Sequence, residues 1–583
     1  MVKCSKMYIQ SYQLDSLRNT MTELAYRKMK RFASIDFLRG LAIVMMLFLH
    51  VVMDVFSIDE YINKLDEVGA INLLALLIIP YLGGLAGLFL MVSAMGNMVG
   101  MRKNLEKGFG TWSIAKKQVV GGFLIVIFAH ILEATLGYHG SLGQIMDNLN
   151  NLDGIGTEWS VDAWKSNGYH FETIHTIGWC VILNGIVQGY IASKWDLSKD
   201  SKKIIKIYWF LVGIVLLMTP LIWELVSTLI PGYPWENSMW RPKIGEAPWY
   251  DFIIMFFVNP LAAPVEPVFP YLATSFLGSL IALHMTEPKE NFDRSFVKNI
   301  FGIGFVMFVV GFIGVVVLLV GLGDFDAAID LYKTIYDHRK WTSDVGVTGG
   351  WFWQWITLNG ASLMIVMMAI RVSEYRGSSE KFADITKIFR RFGFVAFTVY
   401  IIQWIYFVMH FVVSSVNPNV DAYERMTWVW TWLTLILTIV VFNYLLKLWS
   451  KKGYVGSVEW MIVTIANKLT LVKKQIGTKE NEKWWQKGML NVKGGFENPE
   501  WVCFDVKNVD EDDKRLLNYF SWFGFIFVPF SIVSLGMVID IQKNRPSLDV
   551  SKYRFLNILS IVFFIIWFLI LNVFSLGDFG ISL

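Results

Sequence analysis

Apolar runs of about twenty residues recur along this chain, and that is the length an α-helix needs to cross about 30 Å of hydrocarbon. They fall near 37–56, 72–99, 118–137, 173–193, 204–230, 252–284, 298–322, 350–371, 392–415, 427–448, 518–540 and 556–576. In lipid such runs satisfy their backbone polar groups as helices, so the chain reads as an all-α polytopic membrane protein of about 12 transmembrane helices. Pro260, Pro264, Pro267 and Pro270 interrupt the 252–284 run. They leave two readings open, one interrupted span or a short re-entrant piece followed by a full helix.

Composition agrees. Only 17% of the 583 residues are charged, against about a quarter in soluble chains. The 16% aromatic content suits belts at both bilayer surfaces. Cys4, Cys180 and Cys503 are too few and too scattered for a disulfide framework or a thiolate metal cage. A net charge of +4 provides no basis for nucleic-acid binding. The N-terminal segment is basic and polar without an early apolar core, so the first apolar helix reads as an uncleaved anchor.

The loops set an orientation. RKNLEKGFGTWSIAKK at 102–117, SKWDLSKDSKKIIK at 193–206 and RVSEYRGSSEKFADITKIFRR at 371–391 are basic, like the N-terminus. The positive-inside rule places them on the cytoplasmic side. Longer aromatic and acidic loops at 138–172, 231–251 and 323–349 fall opposite. The basic hairpin at 540–554 falls outside on this count. The polar stretch 449–516 opens with a segment that reads as an amphipathic helix on the cytoplasmic surface. No internal repeat, P-loop, G-x-G-x-x-G or H-E-x-x-H motif is present.

The first span, RFASIDFLRGLAIVMMLFLHVVMD at 31–54, carries the chemistry. Asp36, Arg39, His50 and Asp54 interrupt an otherwise apolar segment. At about 100° per residue, Arg39 and His50 differ by about 20° around the axis, and Asp36 and Asp54 by about zero. The four form one stripe about 27 Å long. Ionisable groups inside a membrane helix face a bundle interior or a wet cavity. The simpler reading is an Asp–Arg interfacial anchor plus a histidine bonded to a neighbour, which leaves the alignment accidental. His130 and Glu133 share a face three residues apart near the outer end of the third span, and His175 opens the fourth. Taken alone, each histidine reads as a structural residue more readily than as a catalytic one. No pair has zinc-site spacing, so no metal is assigned.

The stretch Arg31–Ile43, RFASIDFLRGLAI, resembles the first helix of a superfamily of transmembrane acyltransferases. Its branches include the heparan-α-glucosaminide N-acetyltransferase-like proteins and the acyltransferase-3 proteins. GLAGLFLMVSAMGNMVG at 84–100, IHTIGWCVIL at 174–183 and EPVFPYLATSFLGSLIA at 266–282 are similar to segments of the first branch. FGFVAFTVYIIQWIYF at 392–407 is similar to a late G-x-x-sLT-x-Y segment, and GYVGSVEW at 453–460 to the G-P-x-E-W segment that follows it. No single piece is specific; their order along about 30–460 is. An Arg and a catalytic His of the acyltransferase-3 branch have the spacing of Arg39 and His50. In the heparan branch an Asn stands at the position of His50, and the catalytic His lies in the loop beyond. Here that place is Tyr61, within SIDEYINK.

The resemblance implies transfer from cytoplasmic acetyl-CoA or another acyl-CoA to a sugar or glycolipid on the outer face. Asp36, Arg39, Arg102 and Lys103 would then hold the anionic donor. His50 would serve as general base or transient acyl carrier, with Asp54 orienting it. His130, Glu133, His175 and Glu266 are weaker substrate candidates. Trp159, Trp164, Trp235, Trp240 and Trp249 suit sugar stacking or interfacial anchoring equally. The expected organisation is a cytoplasmic segment 1–30, a ten-helix core 31–460, a cytoplasmic polar segment 461–516 and a C-terminal helix pair within 517–583. The expected setting is the cell membrane, multi-pass with a cytoplasmic N-terminus, and a homodimer is compatible with the sequence. Two other classes fit the stripe: a transporter or channel that uses it as a relay, and a non-catalytic scaffold docking through 449–516.

Overall fold

A computed structural model of the chain describes residues 31–56, 85–138, 140–149, 171, 173–230, 248–263, 266–287, 295–324, 327–328, 350–416, 428–472, 500–504, 509–525 and 528–574. The early helices are α1 (Ala33–Val51), α2 (Leu85–Glu106), α3 (Thr111–Thr135), α4 (Thr173–Lys194) and α5 (Ser201–Leu229). Next come α6 (Val268–Met285), α7 (Ser295–Gly321), α8 (Gly350–Val372), α9 (Lys387–Phe394), α10 (Ala396–Ile401), α11 (Ile405–Val416) and α12 (Trp428–Ser450). The last are α13 (Val458–Leu469), α14 (Val509–Phe523), α15 (Pro529–Asn544) and α16 (Ser551–Phe574). Eight described helices are long and apolar enough to cross a membrane: α1, α3 to α8, and α12. The protein is an all-α polytopic membrane protein, as the apolar runs require.

α6 is the hub, packed by α2, α4 and α5, and nearly all its residues are buried. Between α4 and α6 the adhesion is polar. Asn184 Nδ2 donates to Ser275 Oγ (2.9 Å) and Ser279 Oγ (2.8 Å), and Gln188 Nε2 donates to Ser279 Oγ (3.1 Å). Lipid tails are as apolar as leucine, so hydrogen bonds of this kind and close packing are what join membrane helices.

The basic stretches gather at one end. Ser34 N donates to the buried Glu374 carboxylate (3.0 Å), which caps the start of α1 from the end of α8. Arg102 at the end of α2 donates to Ser198 Oγ (2.8 Å), and Lys117 of α3 to the Val472 carbonyl. The backbone of Arg31 pairs with a distant segment: its N–H donates to Glu500 O and its carbonyl accepts from Val502 N, both at 2.8 Å.

Three runs differ in detail from single straight spans. The 252–284 run is a short helix, Trp249–Phe257, then a turn of 3₁₀ helix, then α6, so it holds a short piece followed by a full helix. The 392–415 run is divided among α9, α10 and α11. Hydrogen bonds from Phe397 and Thr398 to Glu459 allow the break, because they satisfy N–H groups that a continuous helix would have paired.

The 518–540 run is a correction. α14 and α15 fold back on each other. Asp513 near the start of α14 pairs with Arg545 beyond the end of α15, while Ser521 meets Ser534 (3.2 Å) near the turn. The chain therefore returns to the end it left. Arg376 lies 3.3 Å from Asp540, and Lys381 also pairs with it. The basic 540–554 hairpin thus sits with the other basic loops, and the charge exception disappears.

Of the segments read from sequence, 1–30, the loop containing Tyr61, and Trp159, Trp164, Trp235 and Trp240 lie outside the described residues. α13 falls within 451–475, the segment read as an amphipathic helix. Its Val458, Trp460 and Ala466 are buried against the bundle, and Ser457 caps it through Trp460 N (3.1 Å).

Candidate active site

α1 has a polar cluster at each end. At the basic end Arg31 donates to Asp36 Oδ1 (2.8 Å), and the Asp36 side chain is buried. One turn on, the Arg39 guanidinium lies against Gly96 of α2, where a Cβ would collide with it. Asp36, Arg31 and Glu459 are the charges it feels. Lys103, in the last turn of α2, stands over the Phe32 ring (5.6 Å) and is coupled to Arg31 and Asp36. Arg31 bonds Asp36, and Arg39 and Lys103 both feel its charge, so three cations share this end of α1 with Asp36 and Glu459.

Close helix approach makes this cluster possible. A Cβ on Gly40 would strike the Phe389 carbonyl of α9, and one on Gly393 would come within 2.6 Å of Gly40 N. The two glycines let α1 and α9 cross almost backbone to backbone. Glu459 then fixes α10 beside them, accepting from Phe397 N (2.7 Å), Thr398 N (3.3 Å) and Thr398 Oγ1 (2.6 Å). Burial lifts the Glu459 carboxyl above the ordinary carboxylate range, while these donors pull the other way. The segments at 31–43, 84–100, 392–407 and 453–460, far apart in sequence, meet here.

Arg102 belongs elsewhere. It is buried against Ser198 and lies 3.5 Å from Glu106, so its side chain serves the α2–α3 and α4–α5 turns rather than the Arg39 cluster.

At the other end, the α-helix gives way to a π turn at Val52–Phe56. That turn changes the angular step and directs Asp54 onto two phenols. Tyr138 donates to Asp54 Oδ2 (2.7 Å), and Tyr406 of α11 donates to the same oxygen. His50 packs edge-on against Tyr138, with ring centroids 5.1 Å apart. Tyr138 thus touches both the imidazole and the carboxylate. Burial, then the neighbouring Asp54, pushes the Tyr138 phenol far above its ordinary range, so it remains a donor. Phe407 stacks on Tyr138 at 5.6 Å, and Trp404 Nε1 ties α11 to the Leu136 carbonyl (2.8 Å).

The weaker candidates form a neighbouring group. His130 of α3 and His175 of α4 have ring centroids 4.3 Å apart, with Phe256 beside the first and Phe171 beside the second. Glu133 is buried one turn along α3. Glu266 accepts from Thr173 Oγ1 through its carboxylate and from Thr176 Oγ1 through its carbonyl, both at 2.5 Å. Ala129 and Ile174, next to the two histidines in sequence, pack with Ile43, Val44 and Leu47 of α1. The group therefore flanks the C-terminal half of α1. Of the expected tryptophans, Trp249 is described and is exposed.

Sequence reasoning missed Tyr138, Tyr406, His410 and Glu459 as site residues. Glu459 had a signal, since it is the acid of the quoted GYVGSVEW segment. The others come from loops and helices whose proximity no local pattern encodes.

Residues 31–136 match the family described as heparan-alpha-glucosaminide N-acetyltransferase, catalytic. The matched stretch runs from Arg31 through α1, α2 and α3, and contains Asp36, Arg39, His50, Asp54, Lys103, His130 and Glu133. The resemblance of this region to the heparan-α-glucosaminide N-acetyltransferase-like branch stands, and it carries acetyl transfer as the general chemistry. No curated protein matches the chain.

Proposed function

We propose that the protein is a membrane-embedded acyltransferase that moves an acetyl or other acyl group from cytoplasmic acyl-CoA to a sugar or glycolipid on the outer face. Its setting is the cell membrane, with the basic end and the N-terminus cytoplasmic. The observation that carries the reading is the pair of clusters on α1, cationic at the basic end and His–Tyr–Asp at the other, within a stretch similar to an acetyltransferase catalytic domain.

The cations fit an anionic donor. Arg39 and Arg31 present planar forks suited to phosphate, and Lys103 adds a point charge. His50 lies about 16 Å further along α1, at the distance where a thioester on an extended arm would arrive. There it takes the acyl group as a transient carrier. Tyr138, held by Asp54, fixes its ring. The His130–His175 group and Glu266 line the acceptor side.

The test is acetyl-CoA binding and hydrolysis by purified protein in detergent. Wild type is expected to bind and slowly hydrolyse the thioester. Arg39→Ala should bind at least about tenfold more weakly, a loss of about 1.4 kcal/mol. Gly96→Ala should do nearly the same by displacing the guanidinium, whereas Gly100→Ala, with nothing within 4 Å of its Cβ, should bind as wild type does. Absence of binding by wild type would sink the donor assignment.

A pH dependence follows from Lys103. Burial, and to a lesser degree the charge of Arg31, pulls its ammonium down to about 8. It is charged at pH 7 and mostly neutral at pH 9, and only the charged form attracts phosphate. Acetyl-CoA binding is therefore expected to weaken by about tenfold between those values. Lys103→Arg should flatten the slope, because guanidinium keeps its proton. A flat wild-type titration would remove Lys103 from the donor site.

A further inference from the structure

α11 turns a second imidazole toward the outer cluster. Tyr406, which donates to Asp54, stands one turn before His410, so the two side chains share a helix face. On that face Val413 is buried with Val51 and Val55 of α1, which directs it toward the outer end of the first helix. His410 Nε2 is enclosed and has no hydrogen-bond partner among the described residues. Asp54 is the charge within its electrostatic reach. A buried ring nitrogen without a partner is uncommon in folded proteins, and at a candidate site it marks a place for an incoming group.

The chemistry supplies the reason, resting on the reading of His50 as acyl carrier. Once acylated, the His50 nitrogen is occupied and cannot accept the proton of the attacking group. We propose that His410 is the acceptor-side base, its Nε2 taking the proton of the hydroxyl, amine or water that attacks the acyl group. In the first half-reaction the His50 nitrogen bonds to the acyl carbon, and the C–S bond breaks with its electron pair on sulfur. The thiolate then takes a proton from water as CoA departs. In the second half-reaction the acceptor bonds to the acyl carbon while its proton passes to His410. The C–N bond breaks and its pair returns to His50, restoring the neutral ring. His410 releases the proton to water at the exposed edge of Asp54. One proton is taken up and one released, and His50 cycles between neutral and cationic forms.

Water itself is the acceptor in the test, so no sugar need be identified. Full-length protein is mixed rapidly with acetyl-CoA, and CoA release is followed through burst and steady state. His410→Gln is expected to keep a burst of about one CoA per protein. Its steady-state hydrolysis should fall by about 10²-fold, with acetyl trapped on His50 in the peptide mass spectrum. In His410→Ala, added imidazole should restore part of the steady rate, a response that a merely structural role would not give.

Hydrolysis within threefold of wild type in either variant overturns the inference. So does loss of the burst in both variants without imidazole rescue. A wild type that releases no CoA gives a different answer, because it fails the donor reading itself.

Discussion

Replacing His50 with alanine is expected to leave acetyl-CoA binding close to wild type while thioester turnover falls by about 10²–10⁴-fold. Binding should survive because Arg31, Arg39 and Lys103, the residues proposed to hold the charged part of the donor, lie at the other end of α1. Turnover should not, because His50 is the one ionisable residue of the first span between Arg39 and Asp54. Calorimetric binding and thiol release, measured on one preparation, separate the two effects. Unchanged turnover would move the chemistry to the His130–His175 pair. Weakened binding with unchanged turnover would place His50 on the donor path without a chemical role.

The second large effect concerns stability. Asp513 is fully buried and pairs with both Arg376 (2.9 Å) and Arg545. Removing one partner from a buried network leaves uncompensated charge, at a cost of about 3–5 kcal/mol. Asp513→Ala is therefore expected to lower the thermal midpoint of the detergent-solubilised protein and to free α14 and α15 from α8, seen as protease cleavage around 505–550. Asp510→Ala, whose carboxylate is largely exposed at its contact with Arg545, should cost no more than about 1 kcal/mol. Equal effects from the two changes would show that burial does not govern this contact.

The sequence made the spans legible because bilayer thickness dictates their length. It made the α1 stripe legible because 100° per residue is a fixed property of the helix. Reversal inside an apolar run left almost no trace. Gly524 and Pro529 are the local signs of the turn between α14 and α15, and hydropathy does not register direction. The π turn alters the angular step at Asp54, which is bonded by two phenols. Its partners Tyr138 and Tyr406 could not be read at all. They depend on where α11 packs, and that is decided by contacts such as Trp404 to Leu136, far apart in the chain.

The pairing of Arg31 with 500–502 has a consequence for how the protein is made. Trp501 completes it by packing on Ala33 and Ala383 and lying 4.7 Å from the Arg390 guanidinium. Ribosomes release a chain from its N-terminus, so α1 enters the membrane long before its foot has a partner. Throughout synthesis the start of α1 lacks this clasp, and it acquires it only when almost the whole polypeptide has emerged. Nascent chains halted after α13 would carry every helix of the candidate site yet lack the backbone clasp at its base.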